Sequence, residues 1–230
     1  MLAGAANGPK GGRRCRGGFA AATPVETEPA ESPREAGTLR PSECDKGRCM
    51  PTKDGLVGPF PEGADPDEYD RLRRRVLWAM PSGLYVIGST DGAQRLNGMT
   101  ANWVTQLSFD PKWVGVSVER EALTHELIAA GGCFAVSLID REDRVIVRKF
   151  TKPVDVDLAA KTLNDFSYVE RATGAPVLAQ AVAFVDCELR QQVEAGNHTL
   201  FVGEVVDAGF LKDEDTPVLR MEDTRMNYGG

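Results

Sequence analysis

The run NGMTANWVTQLSFDP at residues 97–111 constrains the fold more than any other stretch of this chain. Asn97-Gly98 is typical of a turn or bulge, because both residues tolerate a positive φ, and the Thr, Trp, Val and Phe that follow favour a strand ending at Asp110-Pro111. Alternation places polar side chains on one face (Thr100, Asn102, Gln106, Ser108) and mostly apolar ones on the other (Met99, Ala101, Trp103, Thr105, Leu107, Phe109). The polar face is therefore either solvated or hydrogen-bonded to a flat polar ligand.

The other periodic segments predict a mostly β domain. Asp67 is expected to cap a helix with an apolar stripe of Tyr69, Leu72, Val76, Leu77 and Met80, and Asp91-Gly92 predicts a turn. Strands are expected at residues 84–90, 113–118, 133–139, 181–193, 199–206 and 218–221, helices at 122–130 and 142–150, and a helical turn at 158–163. Strands in hairpin-like succession with a few short helices indicate an α+β, mostly β barrel. The pattern contains no βαβ run, so no Rossmann unit is expected.

Residues 1–60 differ in composition from the rest of the chain. They contain ten Gly and seven Pro but only two aromatic residues, Phe19 and Phe60, so the segment cannot bury enough apolar surface to offset its chain entropy. We expect a disordered tail at 1–60 and one domain at 61–230. Alternatively, the start codon is assigned too early and translation begins at Met50. Arg13-Arg14 resembles an export signal, but the apolar stretch after it is short and broken by a proline.

Charge and cysteine content limit the possible partners. Residues 61–230 hold eighteen Lys and Arg against twenty-seven Asp and Glu, which disfavours nucleic acid and anionic membranes as partners. The tail cysteines Cys15, Cys44 and Cys49 lack the further ligands of a zinc site, so no metal is expected. Cys133 and Cys187 lie in apolar strand patterns, so we expect both thiols to be buried. Free thiols are typical of the reducing cytoplasm.

Four blocks in order resemble the flavin reductase-like family, whose fold is the FMN-binding split barrel. They are NGMTANWVTQLSFDP, VGVSVEREALTHELI, FAVSLI and GNHTLFVGEV, and they span roughly residues 84–206. The resemblance implies a homodimeric NAD(P)H:flavin oxidoreductase that transfers a hydride from NADH or NADPH to FMN, or alternatively FAD. A partner monooxygenase would then use the reduced flavin. Two alternatives stay open: a flavoredoxin-like electron carrier that keeps its FMN, and a flavin-binding protein without turnover.

The resemblance also implies a set of site residues. The ring-binding strand corresponds to Thr100, Ala101 and Asn102, with Met99 and Trp103 beside them. The phosphate loop corresponds to the strand end and helix start that carry Ser117, Val118, Arg120, Leu123 and Thr124. A strand end that turns into a helix suits a phosphate, because the first amides of a helix are unpaired donors and the helix dipole favours an anion.

The two histidines and the C-terminus carry the remaining expectations. The resemblance implies that His198 lies beside the flavin as the catalytic residue, where an imidazole can orient the nicotinamide or stabilise charge on reduced flavin. Asn197 stands where this family commonly has an acidic residue, which leaves the nucleotide preference open. His125 is expected to be structural or close to the phosphate. Tyr228 is either part of a frayed end or reaches a neighbouring subunit's site.

Overall fold

The computed structural model describes residues 58–152 and 154–226. The predictions for the tail, for its three cysteines and for Tyr228 lie outside these residues. No helix in the described part of the chain is long and apolar enough to cross a lipid bilayer.

Eleven strands and three α-helices make up the described chain. The helices are α1 (Pro66–Trp78), α2 (Leu123–Gly131) and α3 (Arg144–Lys149), and a 3-10 turn follows at Met221–Asp223. The strands are β1 (Tyr85–Thr90), β2 (Leu96–Ala101), β3 (Val104–Phe109), β4 (Lys112–Glu119), β5 (Cys133–Leu138), β6 (Val156–Asp157), β7 (Thr162–Leu163), β8 (Phe166–Glu170), β9 (Pro176–Leu178), β10 (Ala183–Ala195) and β11 (His198–Phe210).

Seven strands form one antiparallel sheet in the order β2-β1-β5-β10-β11-β4-β3. Its two outermost strands, β2 and β3, are consecutive in sequence and separated only by Asn102 and Trp103. Since three peptide units span at most about 11 Å, the two edges of the sheet must meet at these residues. The sheet therefore curls into a barrel that is split between β2 and β3. A split barrel without a Rossmann unit confirms the fold that the resemblance implied.

The two larger of three apolar clusters in the described chain pack against opposite faces of this sheet. One cluster includes Phe134, Phe201 and Ile128, and it joins α2 to the strands of the barrel. The other includes Phe150 and Leu219, and it joins α3 to β1 and to a second sheet of four short strands, β6-β7-β8-β9. Cys133 and Cys187 are buried free thiols, as predicted.

The run at 97–111 forms two strands, and the prediction of a single strand is wrong. Asn97 and Gly98 lie inside β2, opposite Ser89 and Gly88 of β1, and the turn before β2 lies at Gly92 with φ 78°. Gly98 serves a packing purpose, because a Cβ at this position would lie 2.7 Å from two ring carbons of Phe150. The hairpin between β3 and β4 is confirmed.

Helix α1 differs from its prediction in two ways. Asp65, not Asp67, caps the helix, because its Oδ1 accepts a hydrogen bond from Glu68 N at 2.9 Å and proline follows at the first helical position. The predicted apolar stripe is largely exposed, with Val76 and Met80 at 60 % and 66 %. The buried residue is Asp70, whose Oδ1 lies 2.6 Å from Arg73 Nη2.

Three short segments also differ from their predictions. Residues 158–161 form a turn between β6 and β7, so the predicted helical turn at 158–163 is wrong. The strand predicted at 218–221 is reduced to two isolated bridges, Val218 with Asp140 and Arg220 with Gly83. Strand β10 is shifted by two residues from its prediction, β11 is longer than predicted, and the two are joined by a two-residue turn at Gly196-Asn197.

Candidate functional site

A cavity of about 470 Å³ opens beside the edge strand β2, a volume within the range of small-molecule and cofactor sites. Its walls come from β2 and the two residues after it, from the end of β4 and the start of α2, from the residues that follow α3, and from the segment near the 3-10 turn. The lining residues are Leu84, Asn97, Gly98, Met99, Thr100, Ala101, Asn102, Trp103, Ser117, Glu119, Ala122, Leu123, Thr124, Phe150, Thr151, Lys152, Met221 and Met226.

The end of α3 is fixed to β2 and forms part of the cavity wall. Thr100 N donates to Phe150 O at 3.0 Å, and the Thr100 hydroxyl donates to Val147 O. The Phe150 ring lies over Gly98, which has no side chain to displace it. Since Phe150 is only 1 % exposed, its ring is fixed in the core behind the cavity wall and presents almost no surface of its own.

The start of α2 forms a polar wall. Asn97 Nδ2 donates to Thr124 Oγ1 at 2.9 Å, and both residues are buried, so this contact fixes α2 against β2. The N-cap residue Ala122 offers no side-chain hydrogen bond to the first turn. His125 N donates to Ala122 O at 3.0 Å, so the amides of Leu123 and Thr124 are the first-turn donors that remain beside the cavity.

Charged side chains are unevenly placed around the cavity. Glu119 and Lys152 line it, whereas Arg120 does not. Arg120 Nη2 lies 3.0 Å from Glu194 Oε1, and Arg120 N donates to Asn197 O at 3.0 Å. The contacts of Arg120 therefore hold the tip of the β10–β11 hairpin against the end of β4.

Trp103 connects the cavity to His198. Trp103 lines the cavity at 40 % exposure, and its ring centroid lies 5.0 Å from that of His198 with the ring planes at 56°. His198 itself does not line the cavity and is 8 % exposed. His198 Nδ1 lies 2.8 Å from Asn197 Oδ1, an acceptor, so this nitrogen carries the proton of the contact.

His125 lies on α2 behind the cavity wall. Its Nε2 is 2.9 Å from Thr199 Oγ1, and its ring meets Phe201 edge to face at 4.9 Å. Burial lowers the pKa of His125 below its usual value, and the positive charge of Arg120 lowers it further. The ring is therefore a neutral structural link between α2 and β11, as expected for a histidine that does not reach the cavity.

A match to a protein-family model identifies the kind of domain that contains this cavity. Residues 77–229 match the model of the flavin reductase like domain, which covers more than half of the chain. The chain belongs to the flavin reductase-like family. The matched residues contain every element of the barrel and every wall of the cavity.

Two relatives in sequence and two solved structures illustrate this family. The NADH-dependent FAD reductase of Streptomyces globisporus is 34 % identical over 66 % of this chain and 82 % of its own length. A solved structure named NADH:FAD oxidoreductase of Streptomyces globisporus C-1027 is 30 % identical, with a TM-score of 0.58 over 72 % of this chain and 90 % of the other. The structure of the styrene monooxygenase flavin reductase from Pseudomonas putida S12 is 30 % identical, with a TM-score of 0.52 over 61 % of this chain and 88 % of the other. The high molecular weight rubredoxin of Moorella thermoacetica is 35 % identical over 60 % of this chain, which spans only 59 % of that protein.

The cavity fits the flavin of this family in chemistry as well as in volume. A flavin ring needs a flat apolar surface for its faces and short donors and acceptors for its polar edge. Met99 and Leu123 supply apolar surface, and Asn102, Ser117 and the amides of Leu123 and Thr124 supply polar groups. Thr100 offers only acceptor capacity, because its hydroxyl proton and its amide are engaged by α3.

The structure brings together most of the residues implied by the flavin reductase-like resemblance. Eight of them line the cavity: Met99, Thr100, Ala101, Asn102, Trp103, Ser117, Leu123 and Thr124. Three do not. Val118 is 1 % exposed in the barrel core, Arg120 is paired with Glu194, and His198 lies behind Trp103.

Sequence reasoning missed the walls that come from distant segments. Phe150, Thr151 and Lys152 follow α3, and Met221 and Met226 lie near the 3-10 turn. The helix at 142–150 was predicted, but no local pattern shows that its end is bonded to β2. The glycine at position 98 was the available signal, since a glycine inside a strand often marks a close approach by another group.

Proposed function

We propose that this protein is an NAD(P)H:flavin oxidoreductase that uses the cavity beside β2 to hold FMN or FAD. The observation that carries the proposal is the cavity itself: apolar side chains on β2 and α2 lie next to hydroxyl, amide and helix-terminus groups in a flavin reductase-like barrel. When bound, the flavin supplies an acceptor for the hydride at N5, and NADH or NADPH donates that hydride from its nicotinamide C4. The protein contributes binding, orientation and exclusion of water.

Each wall has a separate role in this proposal. Met99 and Leu123 would pack against the ring, and Asn102 and Ser117 would bond its polar edge. Leu123 and Thr124 place the first amides of α2 beside the cavity, where they suit an oxygen that carries negative charge. Leu84, Met221 and Met226 cover the apolar end and limit entry of water.

We assign His198 a positioning role that it exerts through Trp103. The imidazole packs against the indole at 5.0 Å and is itself oriented by Asn197. Trp103 is the large aromatic side chain exposed at the cavity, so its ring plane determines how a nicotinamide can stack there. The direct catalytic role that the resemblance implied for His198 stays a prediction beside this one.

A second function, electron carrier, has one observation in its favour. The rubredoxin relative is 35 % identical to this chain. A carrier would keep its flavin through purification and exchange electrons with another protein while oxidising little NADH directly. The third possibility, flavin binding without turnover, has no observation that favours it over the reductase.

Turnover assays separate these functions. We expect the purified protein to oxidise NADH or NADPH, and the rate to rise when FMN, FAD or riboflavin is added. Nicotinamide oxidation that needs added flavin identifies a reductase that releases reduced flavin. A protein that purifies with bound flavin and oxidises neither nucleotide would contradict the reductase proposal and favour the carrier.

The proposal extends to partners and compartment. Relatives named as components of monooxygenase systems support a flavin-dependent monooxygenase as the consumer of reduced flavin. Exposed apolar side chains on the edge strand β3, such as Phe109 at 86 %, support a homodimer. The free thiols of Cys133 and Cys187 suit the reducing cytoplasm, where NADH is also available.

A further inference from the structure

The last described residues of the chain, 217–226, form a strap that ends at the cavity. Backbone hydrogen bonds fix its first half to the domain. Leu219 N donates to Ile139 O at 2.7 Å, and Met221 N donates to Ser82 O at 3.0 Å. Leu219 is also fully buried in the apolar core. The strap therefore begins as a firm part of the fold.

The second half of the strap, residues 222–226, makes different contacts. Its backbone amides bond within the strap, as far as the described residues show: Thr224 N donates to Met221 O at 3.0 Å, and Met226 N donates to Thr224 Oγ1 at 3.1 Å. Met226 nevertheless lines the cavity together with Met221, and both pack against the apolar cluster that joins α3 to β1. The place of Met226 at the cavity therefore depends on side-chain contacts.

An ion pair ties this half of the strap to the rest of the domain. Arg141 Nε donates to Asp223 Oδ2 at 3.0 Å, and Arg141 lies in the loop that leads from β5 to α3. The two side chains are 33 % and 16 % exposed, so water and salt screen the pair only in part. Asp223 Oδ2 also accepts a hydrogen bond from Arg220 N at 3.0 Å, which orients the carboxylate. The pair thus joins the end of the strap to the segment that carries α3.

We propose that Arg141 and Asp223 form a latch that holds the strap at the cavity and limits how fast flavin is exchanged. The inference rests on the proposed function, which places a flavin in the cavity that Met221 and Met226 line. A methionine side chain adapts to what it covers, so the two methionines alone do not fix the strap. The ion pair must break before residues 222–226 can move away, as in other segments that open to release a product. Arg141 and Asp223 do not line the cavity, so they act as positioning residues.

The rate of flavin release tests the latch without any turnover. Oxidised FMN and FAD are loaded in separate experiments, and their release after rapid dilution is followed by flavin fluorescence in a stopped-flow instrument. The latch variants are Arg141→Gln, Asp223→Asn and the double variant. The matched control is Glu222→Gln, which neutralises the neighbouring carboxylate and removes its 3.1 Å ion pair with Arg220 but leaves the latch intact.

We expect each latch variant to release flavin about two- to fivefold faster than wild type, the range for a partly exposed ion pair. The double variant should be no faster than either single variant, because both changes remove the same bond. Added salt should speed release from wild type and narrow its difference from the variants. The rate at which NADH reduces the bound flavin in a single turnover should stay at the wild-type value, since the latch does not touch the ring.

Three results would overturn the inference while leaving the proposed function intact. One is flavin release that is unchanged in both single variants, although wild type binds and reduces flavin. Another is equal acceleration in Glu222→Gln, which would show that any loss of charge on the strap has the same effect. The third is additive acceleration in the double variant, which would show that Arg141 and Asp223 act separately. A wild-type protein that neither binds flavin nor oxidises NADH would instead overturn the proposed function, and this inference with it.

Discussion

The contact between Trp103 and His198 is the residue-scale feature on which the proposed chemistry depends most. Replacing His198 by Ala removes the ring that packs against the indole at 5.0 Å. We expect NADH oxidation to slow about three- to tenfold with flavin affinity largely kept, because such a ring contact contributes about 0.5–1.5 kcal/mol. Steady-state rates and flavin titrations on the same preparation separate the two effects.

His198→Phe is the matched control for this substitution. It keeps an aromatic ring against Trp103 but removes the contact of Nδ1 with Asn197. A rate close to wild type in His198→Phe would support a packing role through Trp103. An unchanged rate in His198→Ala would remove His198 from the mechanism altogether.

His125 makes stability depend on pH in a defined direction. Because burial and Arg120 lower its pKa in the folded protein, the unfolded chain binds a proton more readily. Neutral His125 therefore makes its full contribution to the free energy of unfolding above the ordinary histidine pKa of about 6.5. That contribution is lost as the pH falls below this value and through the lowered pKa of His125 in the folded protein.

Urea unfolding of wild type and His125→Gln between about pH 5 and pH 7.5 tests this direction. The free energy of unfolding of wild type should fall with acidification more than that of the variant. Burial raises the pKa of Asp186, which gives the opposite slope at lower pH, but this contribution is common to both proteins and cancels in their difference. Parallel pH profiles would contradict the assignment.

At the scale of elements, sequence patterns predicted the positions of strands better than they predicted which strands pair. The strands at 84–90, 113–118 and 133–139 were predicted from local composition and appear within a residue or two as β1, β4 and β5. The break at Asn102–Trp103 was not predicted, because alternation of polar and apolar residues continues across it and only closure of the barrel requires it. The short strands β6, β7 and β9 have two or three residues each, too few to show any period.

The same limit applies to the candidate site. The part of the site on β2 and α2 was predicted because the family motif and the polar alternation are both local features of the sequence. Thr100, Asn102 and Thr124 do line the cavity. The part contributed by Phe150, Lys152 and Met226 depends on how α3 and the end of the chain pack against β2. Such long-range packing leaves no periodic signal in a single sequence.

The packing of α3 against β2 can be tested at Gly98. A Cβ at this position would lie 2.7 Å from two ring carbons of Phe150, so Gly98→Ala must displace the ring from the cavity wall. We expect the free energy of unfolding to fall by about 1–3 kcal/mol, typical of overpacking, and flavin binding to weaken. Chemical denaturation and flavin titration measure the two effects.

A double variant provides the control for Gly98→Ala. Adding Phe150→Leu removes part of the ring that the new methyl group meets, so the double variant should lose less stability than the sum of the two single changes. Additive losses would show that Gly98 and Phe150 do not act on each other.

At the scale of the whole molecule, exposed apolar side chains predict self-association. Phe109 on β3 and Phe210 at the end of β11 are 86 % and 60 % exposed, and Val76 and Met80 of α1 are similarly open. Edge strands with apolar side chains are natural surfaces for pairing with a second chain. We expect light scattering to give a mass of twice the 24.9 kDa chain, and Phe109→Asp to shift the mass towards one chain. A single-chain mass for wild type at all concentrations would contradict the homodimer.

The central claim is that this barrel holds a flavin where a nicotinamide can reduce it. Anaerobic mixing of the flavin-loaded protein with NADH, followed by the visible absorbance of the flavin, tests it most directly. We predict bleaching at one NADH or NADPH per bound flavin, far faster than the reduction of free flavin under the same conditions. A flavin that stays oxidised on the protein with both nucleotides, or that is reduced no faster than in solution, would contradict the account.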